Sequence, residues 1–146
     1  MTGLTELVAA HELTRAKATY CRALDTRDWN ALADLMTPDV EFGMADGESE
    51  PDVTVGRDAT LSLLQSLVAG SRTVHQVHTP EIDLDGAEAR VVWAVQDRAV
   101  FDNGVSVTGY GHYVERWVRR GDRWLLASLR LRNLITDVHQ SPLSAG

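Results

Sequence analysis

The chain has 146 residues, of which 44% are hydrophobic and 24% charged, with a formal net charge of -7. That is enough chain for one domain with a core of its own, and its acidity repels a phosphate backbone, which argues against a nucleic-acid partner. No apolar run is long enough to span a bilayer, no secretory leader is visible, and the single cysteine, Cys21, excludes an internal disulfide and a cysteine metal cluster, so the expectation is a cytoplasmic protein without membrane contact.

Residues 4 to 25 place Leu4, Leu7, Val8, Leu13, Ala16, Tyr20 and Leu24 at helical spacing. Asp28 precedes Trp29, Leu32, Leu35 and Met36, an N-cap followed by a short second helix. Thr37-Pro38-Asp39 breaks that helix, and Val40 to Met44 reads as a short strand. The polar stretch from Ala45 to Gly56 reads as a loop, and a third helix runs from Asp58 to Val68, ended by Gly70.

Four strands follow, over residues 72 to 84, 88 to 101, 105 to 118 and 123 to 135, rich in β-branched and aromatic residues. Asp85-Gly86, Asn103-Gly104 and Arg120-Gly121-Asp122 punctuate them. Helices followed by an antiparallel meander predict a single α+β domain over residues 1 to 146, a curved sheet wrapped by three N-terminal helices around an internal pocket. A two-residue turn at Asn103-Gly104 would set Asp97 beside Tyr110, Val95 beside His112 and Trp93 beside Val114 on one face. Leu129, Leu131 and Asn133 of the last strand would join that face. These nine residues are the expected pocket lining: apolar walls with a few polar groups, as a small-molecule site requires. Tyr113, Trp117, Glu115 and Arg130 would then form an outer, semi-polar aromatic face suited to a homodimer.

Several segments carry a family resemblance. Tyr20-Cys-Arg-Ala-Leu-Asp25-Thr-Arg-Asp28-Trp29, Leu35-Met-Thr-Pro-Asp39-Val-Glu-Phe42, Thr73-Val-His75-Gln, Gly109-Tyr-Gly-His-Tyr113 and Arg120-Gly-Asp-Arg-Trp124 together resemble SnoaL-like and scytalone-dehydratase-like proteins of the nuclear-transport-factor-2-like superfamily. The resemblance covers nearly the whole chain and implies a helix-lined cone. It also implies a catalytic pair. Dehydratases of this group share an aspartate at the end of the first helix and a histidine on the first long strand, where Asp25 and His75 stand here. Tyr20 matches a helix-1 tyrosine of one of them. Such a pair suits proton abstraction, because a carboxylate-oriented imidazole is a base near neutral pH. Tyr20, Tyr110 or Asp97 could polarise a carbonyl or assist a departing hydroxyl.

The chain also departs from the pattern. Val92-Trp93-Ala94 stands where scytalone dehydratase has a second pocket histidine, and Leu129 where a dehydrochlorinase has an arginine. His75 and Val77 have the opposite parity to Ile82 and Leu84, so His75 faces inward only if a bulge near Thr79-Pro80 shifts the register. Without it, Gln76 and His78 face inward instead. Asp25 alone would also serve as a simple helix terminator, and His112 as a hydrogen-bonded wall residue.

The resulting expectation is a lyase of dehydratase type acting on a hydrophobic cyclic or polycyclic molecule of polyketide or steroid kind. His75 is the base, Asp25 its partner and Tyr20 a polar assistant. An isomerase or cyclase with the same dyad, or a non-catalytic binding module, is the alternative. No metal or organic cofactor is expected, for want of a ligand-spaced Cys/His cluster or a glycine-rich phosphate loop.

Overall fold

The structure, a computed structural model, describes residues 3–141. Three helices, α1 (Gly3–Asp25), α2 (Trp29–Asp34) and α3 (Arg57–Val68), pack against a curved sheet of seven strands. The strands are β1 (Met36–Asp46), β2 (Asp52–Val55), β3 (Ser71–Val77), β4 (Glu81–Asp85), β5 (Glu88–Phe101), β6 (Val105–Arg120) and β7 (Arg123–Gln140). Their order is β2-β1-β7-β6-β5-β3, with β4 also paired to β5. The expected α+β cone is therefore present. No described helix is long and apolar enough to cross a membrane.

The buried stripe of α1 runs through Ala9, Leu13, Lys17, Tyr20 and Leu24, one residue per turn on the face toward the sheet. Leu4, Leu7 and Val8 do not join this stripe: at 3.6 residues per turn they lie on the far side of the helix from it, and they are exposed. Asp28 caps α2 as expected, accepting from the Ala31 N–H at 3.1 Å. Two expectations for the next segment fail. Met36 belongs to β1 rather than to α2, and β1 is longer than Val40–Met44, with a register shift between Met36 and Glu41 that absorbs Pro38. The stretch read as a loop contains β2, which pairs antiparallel with Glu41 to Met44. β1 also pairs parallel with β7, so the sheet is not a pure meander.

The largest correction concerns the β5–β6 hairpin. Asp102, Asn103 and Gly104 form a three-residue loop, with Gly104 at φ 87° and its N–H on the Phe101 carbonyl at 3.0 Å. Asp97 consequently lies opposite Gly109, Val95 opposite Gly111 and Trp93 opposite Tyr113. Strand side chains alternate with a period of two, so this one-residue slip turns over every side chain of β6. Tyr113, Glu115 and Trp117 face the core and are buried, whereas Tyr110, His112 and Val114 lie on the outer face.

Two further register shifts, at Tyr110/Gly111 and Arg116/Trp117, bend β6 against β7 and curve the sheet. At the first of them the backbones approach so closely that a Cβ on Gly111 would lie 1.9 Å from the Arg132 carbonyl oxygen, so only glycine fits.

Candidate active site

Between α1, α3 and the inner face of the sheet lies a cavity of about 310 Å³. Its wall is largely apolar (Leu24, Phe42, Leu64, Val68, Phe101 and Leu131 among others), with Tyr20, His75, Asp97, Tyr113 and Asn133 set into it.

His75 reaches the wall through the predicted change of register. The β3–β5 ladder and the β4–β5 ladder differ by one residue, and the break falls at His78-Thr79-Pro80, where proline cannot donate to the ladder. His75, Val77, Ile82 and Leu84 therefore all lean inward, while Gln76 and His78 are exposed.

Asp25 closes α1 against this strand. A carboxylate at a helix C-terminus faces the negative end of the helix dipole, so it needs other partners. It has three. The Thr73 hydroxyl donates to Oδ1 at 3.0 Å, the His75 backbone N–H donates to Oδ2 at 2.9 Å, and the imidazole Nδ1 lies 2.6 Å from Oδ1. Asp25 is thus a partner of His75 rather than a simple helix terminator. The contact assigns the proton to Nδ1 and leaves Nε2 as the basic nitrogen. Arg27, in the left-handed region at φ 60°, completes the joint: its guanidinium donates to the Leu24 carbonyl and the Thr73 hydroxyl, both at 2.8 Å, and to the Ser71 carbonyl at 2.7 Å. The helix-ending sequence gave no sign of this second tie, since a positive φ at arginine has no compositional signature.

Behind the dyad a second opening of about 400 Å³ lies between α1 and β3, lined by Cys21, Arg22, Asp25, His75 and Val77. Burial pushes the Cys21 thiol up to about 11, against a smaller opposing pull from Lys17, so it is no thiolate nucleophile.

Asp97 is the direct cross-strand partner of His75. Desolvation raises its pKa, while His75 and the Gly109 N–H pull the other way and Asp25 adds to the rise. Gly109 leaves room for this group, because a Cβ there would lie 2.7 Å from Asp97 Oδ1 and 2.9 Å from Asn133 Oδ1. Asn133 donates through Nδ2 to Asp46 at 3.1 Å, and its Oδ1 is buried with no hydrogen-bond partner among the described residues.

A carboxyl group with a raised folded-state pKa is ionised more readily in the unfolded chain, so its contribution to stability falls as pH rises through the interval from about 3.9 to the raised value. Asp97→Asn should therefore gain stability relative to the parent as pH climbs from about 4 to neutrality. Urea melts of the two proteins across that range check the sign, and a difference that does not grow with pH counts against it.

Of the expected lining, Asp97, Leu131 and Asn133 are on the cavity wall together with Tyr20 and His75. Trp93, Val95 and Leu129 do face inward but belong to the packed core rather than the wall. Tyr110, His112 and Val114 are not in the site, for the register reason given above. Tyr113 takes a place on the wall that sequence reasoning missed. The outer aromatic face built on Tyr113, Trp117 and Glu115 likewise does not exist, and only Arg130 of that set lies outside the core. Among the described residues no three His, Cys, Asp or Glu side chains converge as metal ligands.

The SnoaL-like domain family matches residues 5–130. The probable cyclase FGR4 of Gibberella zeae is 30% identical over 137 residues, covering 86% of this chain and 91% of that protein. Among solved structures, a candidate scytalone dehydratase from Novosphingobium aromaticivorans is similar at a TM-score of 0.84 and 24% identity, covering 99% of both chains. The hexachlorocyclohexane dehydrochlorinase LinA-type3 of Novosphingobium barchaimii is similar at a TM-score of 0.75 and 16% identity, covering 99% of this chain and 96% of that one. At those identities the two structures speak for the fold alone, and it is the matched domain and the cyclase relative that speak for kinship. The chain belongs to the SnoaL-like domain family and has its scytalone-dehydratase-like, nuclear-transport-factor-2-like fold.

Proposed function

We propose that this protein is a cofactor-independent enzyme of the lyase, isomerase or cyclase kind, acting on a hydrophobic cyclic small molecule of polyketide or steroid type, with dehydration as its leading reaction. The observation that carries this reading is that His75, on the wall of an apolar cavity, has its Nδ1 held 2.6 Å from Asp25. In this mechanism Nε2 of His75 takes a proton from a carbon next to a carbonyl, and Asp25 stabilises the imidazolium that forms. Asp97, whose burial favours the protonated form, gives its proton to the departing hydroxyl; water leaves and a carbon–carbon double bond forms. Return of one proton from the imidazolium to Asp97 restores the starting state. Tyr20 assists at the same wall.

The names of the structural relatives, a dehydratase and a dehydrochlorinase, both describe eliminations, which supports a lyase. A cyclase using the same dyad is the second reading, favoured by the relative named as one. The test is turnover of hydroxylated and carbonyl-bearing ring compounds, identified first by mass spectrometry of molecules retained on purification. Tight binding without turnover would reduce the protein to a binding module.

The same proposal includes a homodimer through the outer face of the sheet. Val74, Tyr110 and Val114 there are 52%, 38% and 51% exposed, apolar side chains that a second copy of the chain would cover. Sedimentation at micromolar concentration should give twice the 16.1 kDa chain mass, and a 16.1 kDa species alone would refute the dimer.

A further inference from the structure

The chemistry above makes no use of a charged pair sealed into the core. Lys17 is 0% exposed and Glu115 3%. The Lys17 ammonium pairs with Glu115 Oε2, while Oε1 of the same carboxylate accepts from the indole N–H groups of Trp93 at 2.8 Å and Trp117 at 2.9 Å. The ammonium also lies 4.0 Å from the ring centroid of Tyr20 and 3.6 Å from that of Tyr113. Those two rings meet edge to face, 6.3 Å apart at 80°. An ammonium has three donors, and one carboxylate with two aromatic faces is what this one meets. Both tyrosines line the cavity, and among the described residues neither hydroxyl has a hydrogen-bond partner.

An ion pair is a poor way to fill a core, since apolar side chains of similar volume do as well or better. What apolar filling does not do is attract two ring faces to one point and fix their relative angle. We propose that Lys17, with Glu115 as its counter-ion, is a positioning residue that holds Tyr20 and Tyr113 as a paired hydroxyl donor on the cavity wall, and that the ligand presents an oxygen acceptor (a carbonyl, enolate or phenolate oxygen) to that pair. This deepens the reading of the cavity as an active site and rests on it. Desolvation raises both phenols well above their ordinary value, with Glu115 adding to the rise at Tyr20 and Tyr20 adding to that at Tyr113, so both remain protonated donors. The pair also supplies what the dyad lacks: abstraction of a proton beside a carbonyl builds negative charge on the carbonyl oxygen, and two preset donors are suited to receive it.

The test is a binding measurement, so it does not depend on finding the substrate. The probes are 4-nitrophenolate, which carries an oxygen acceptor and a visible absorption band, and 4-nitrotoluene, which is of similar size and lacks that acceptor. Both are titrated in the parent and in His75→Ala, where no imidazolium can contribute. The expected preference for the phenolate is roughly 10-fold or more, the worth of hydrogen bonds to a charged acceptor. Tyr20→Phe and Tyr113→Phe should each lose most of that preference while keeping 4-nitrotoluene binding. Lys17→Met combined with Glu115→Gln, which keeps an acceptor for both indoles, should lose it too although both hydroxyls remain. No preference in the parent, or full preference in a folded Lys17→Met/Glu115→Gln protein, would overturn the proposal.

Should that double variant not fold, NMR of the parent decides. The chain has only 3 tyrosines, and Tyr20 and Tyr113 should show slow ring flips while exposed Tyr110 flips fast. Fast flipping at either clamped ring overturns the proposal. Loss of turnover in His75→Ala bears on the active-site reading alone, whereas these titrations bear on the donor pair, so the two failures are distinguishable.

Discussion

Replacing His75 with alanine should lower turnover by about 10²–10⁴-fold, the usual worth of a general base. Asp25→Asn should cost a comparable amount, because an amide neither stabilises the imidazolium nor holds the proton on Nδ1. The two changes together should be little worse than either alone, since groups acting as one unit are strongly non-additive. Ligand binding should survive all three, because the apolar wall of Leu24, Phe42, Leu64 and Leu131 is untouched. Asp25 also ties the end of α1 to Thr73 and to the His75 backbone, so melting curves should accompany the kinetics to separate lost chemistry from a loosened helix. His78→Ala is the control: its side chain is exposed just beyond the end of β3, and it should be mild. Steady-state turnover and binding on these four variants check the set, and unchanged turnover in His75→Ala sinks the mechanism.

The second large effect is on stability. Lys17→Met alone should lower it by about 3–5 kcal/mol, the cost of leaving one member of a buried ion pair without its partner. Glu115 would still face two indole N–H groups, which satisfy Oε1 but do not neutralise the charge. That loss is a large fraction of the roughly 5–15 kcal/mol by which a domain is stable. Adding Glu115→Gln should recover much of it, because the amide oxygen still accepts from both tryptophans. Urea unfolding of the parent, both single variants and the double variant measures the coupling between the two sites. Additive losses in the double variant would show that the pair is not coupled.

Much of this architecture can be read from local patterns. The period of α1, the cap at Asp28, the run of β5 and the turn at Gly121-Asp122 are short-range signals, and each appears where its residues indicate. The inward turn of His75 is also legible, because Pro80 supplies a physical reason for the register to break. The β6 side chains are not. Asn103-Gly104 is as good a signal for a two-residue turn as for the end of a three-residue one, and the choice inverts the strand. Hydrophobic alternation would have corrected it only if the buried face were apolar. Here the buried face carries Glu115, and the outer face carries Val114. The burial of Lys17 is equally illegible: a charged residue within the α1 stripe is ordinarily solvated, and its burial depends on a carboxylate 98 positions away. β2 was hidden because a four-residue edge strand between Pro51 and Gly56 is too short to stand out from a loop.

His75 borders both the ligand cavity and the opening between α1 and β3, and its partner Asp25 lines that rear opening. A molecule seated in the first does not seal the second. Proton traffic to the base therefore need not share the doorway used by the substrate. Under the proposed mechanism, the rear opening would let bulk water exchange protons with Asp25 while a substrate fills the cavity in front.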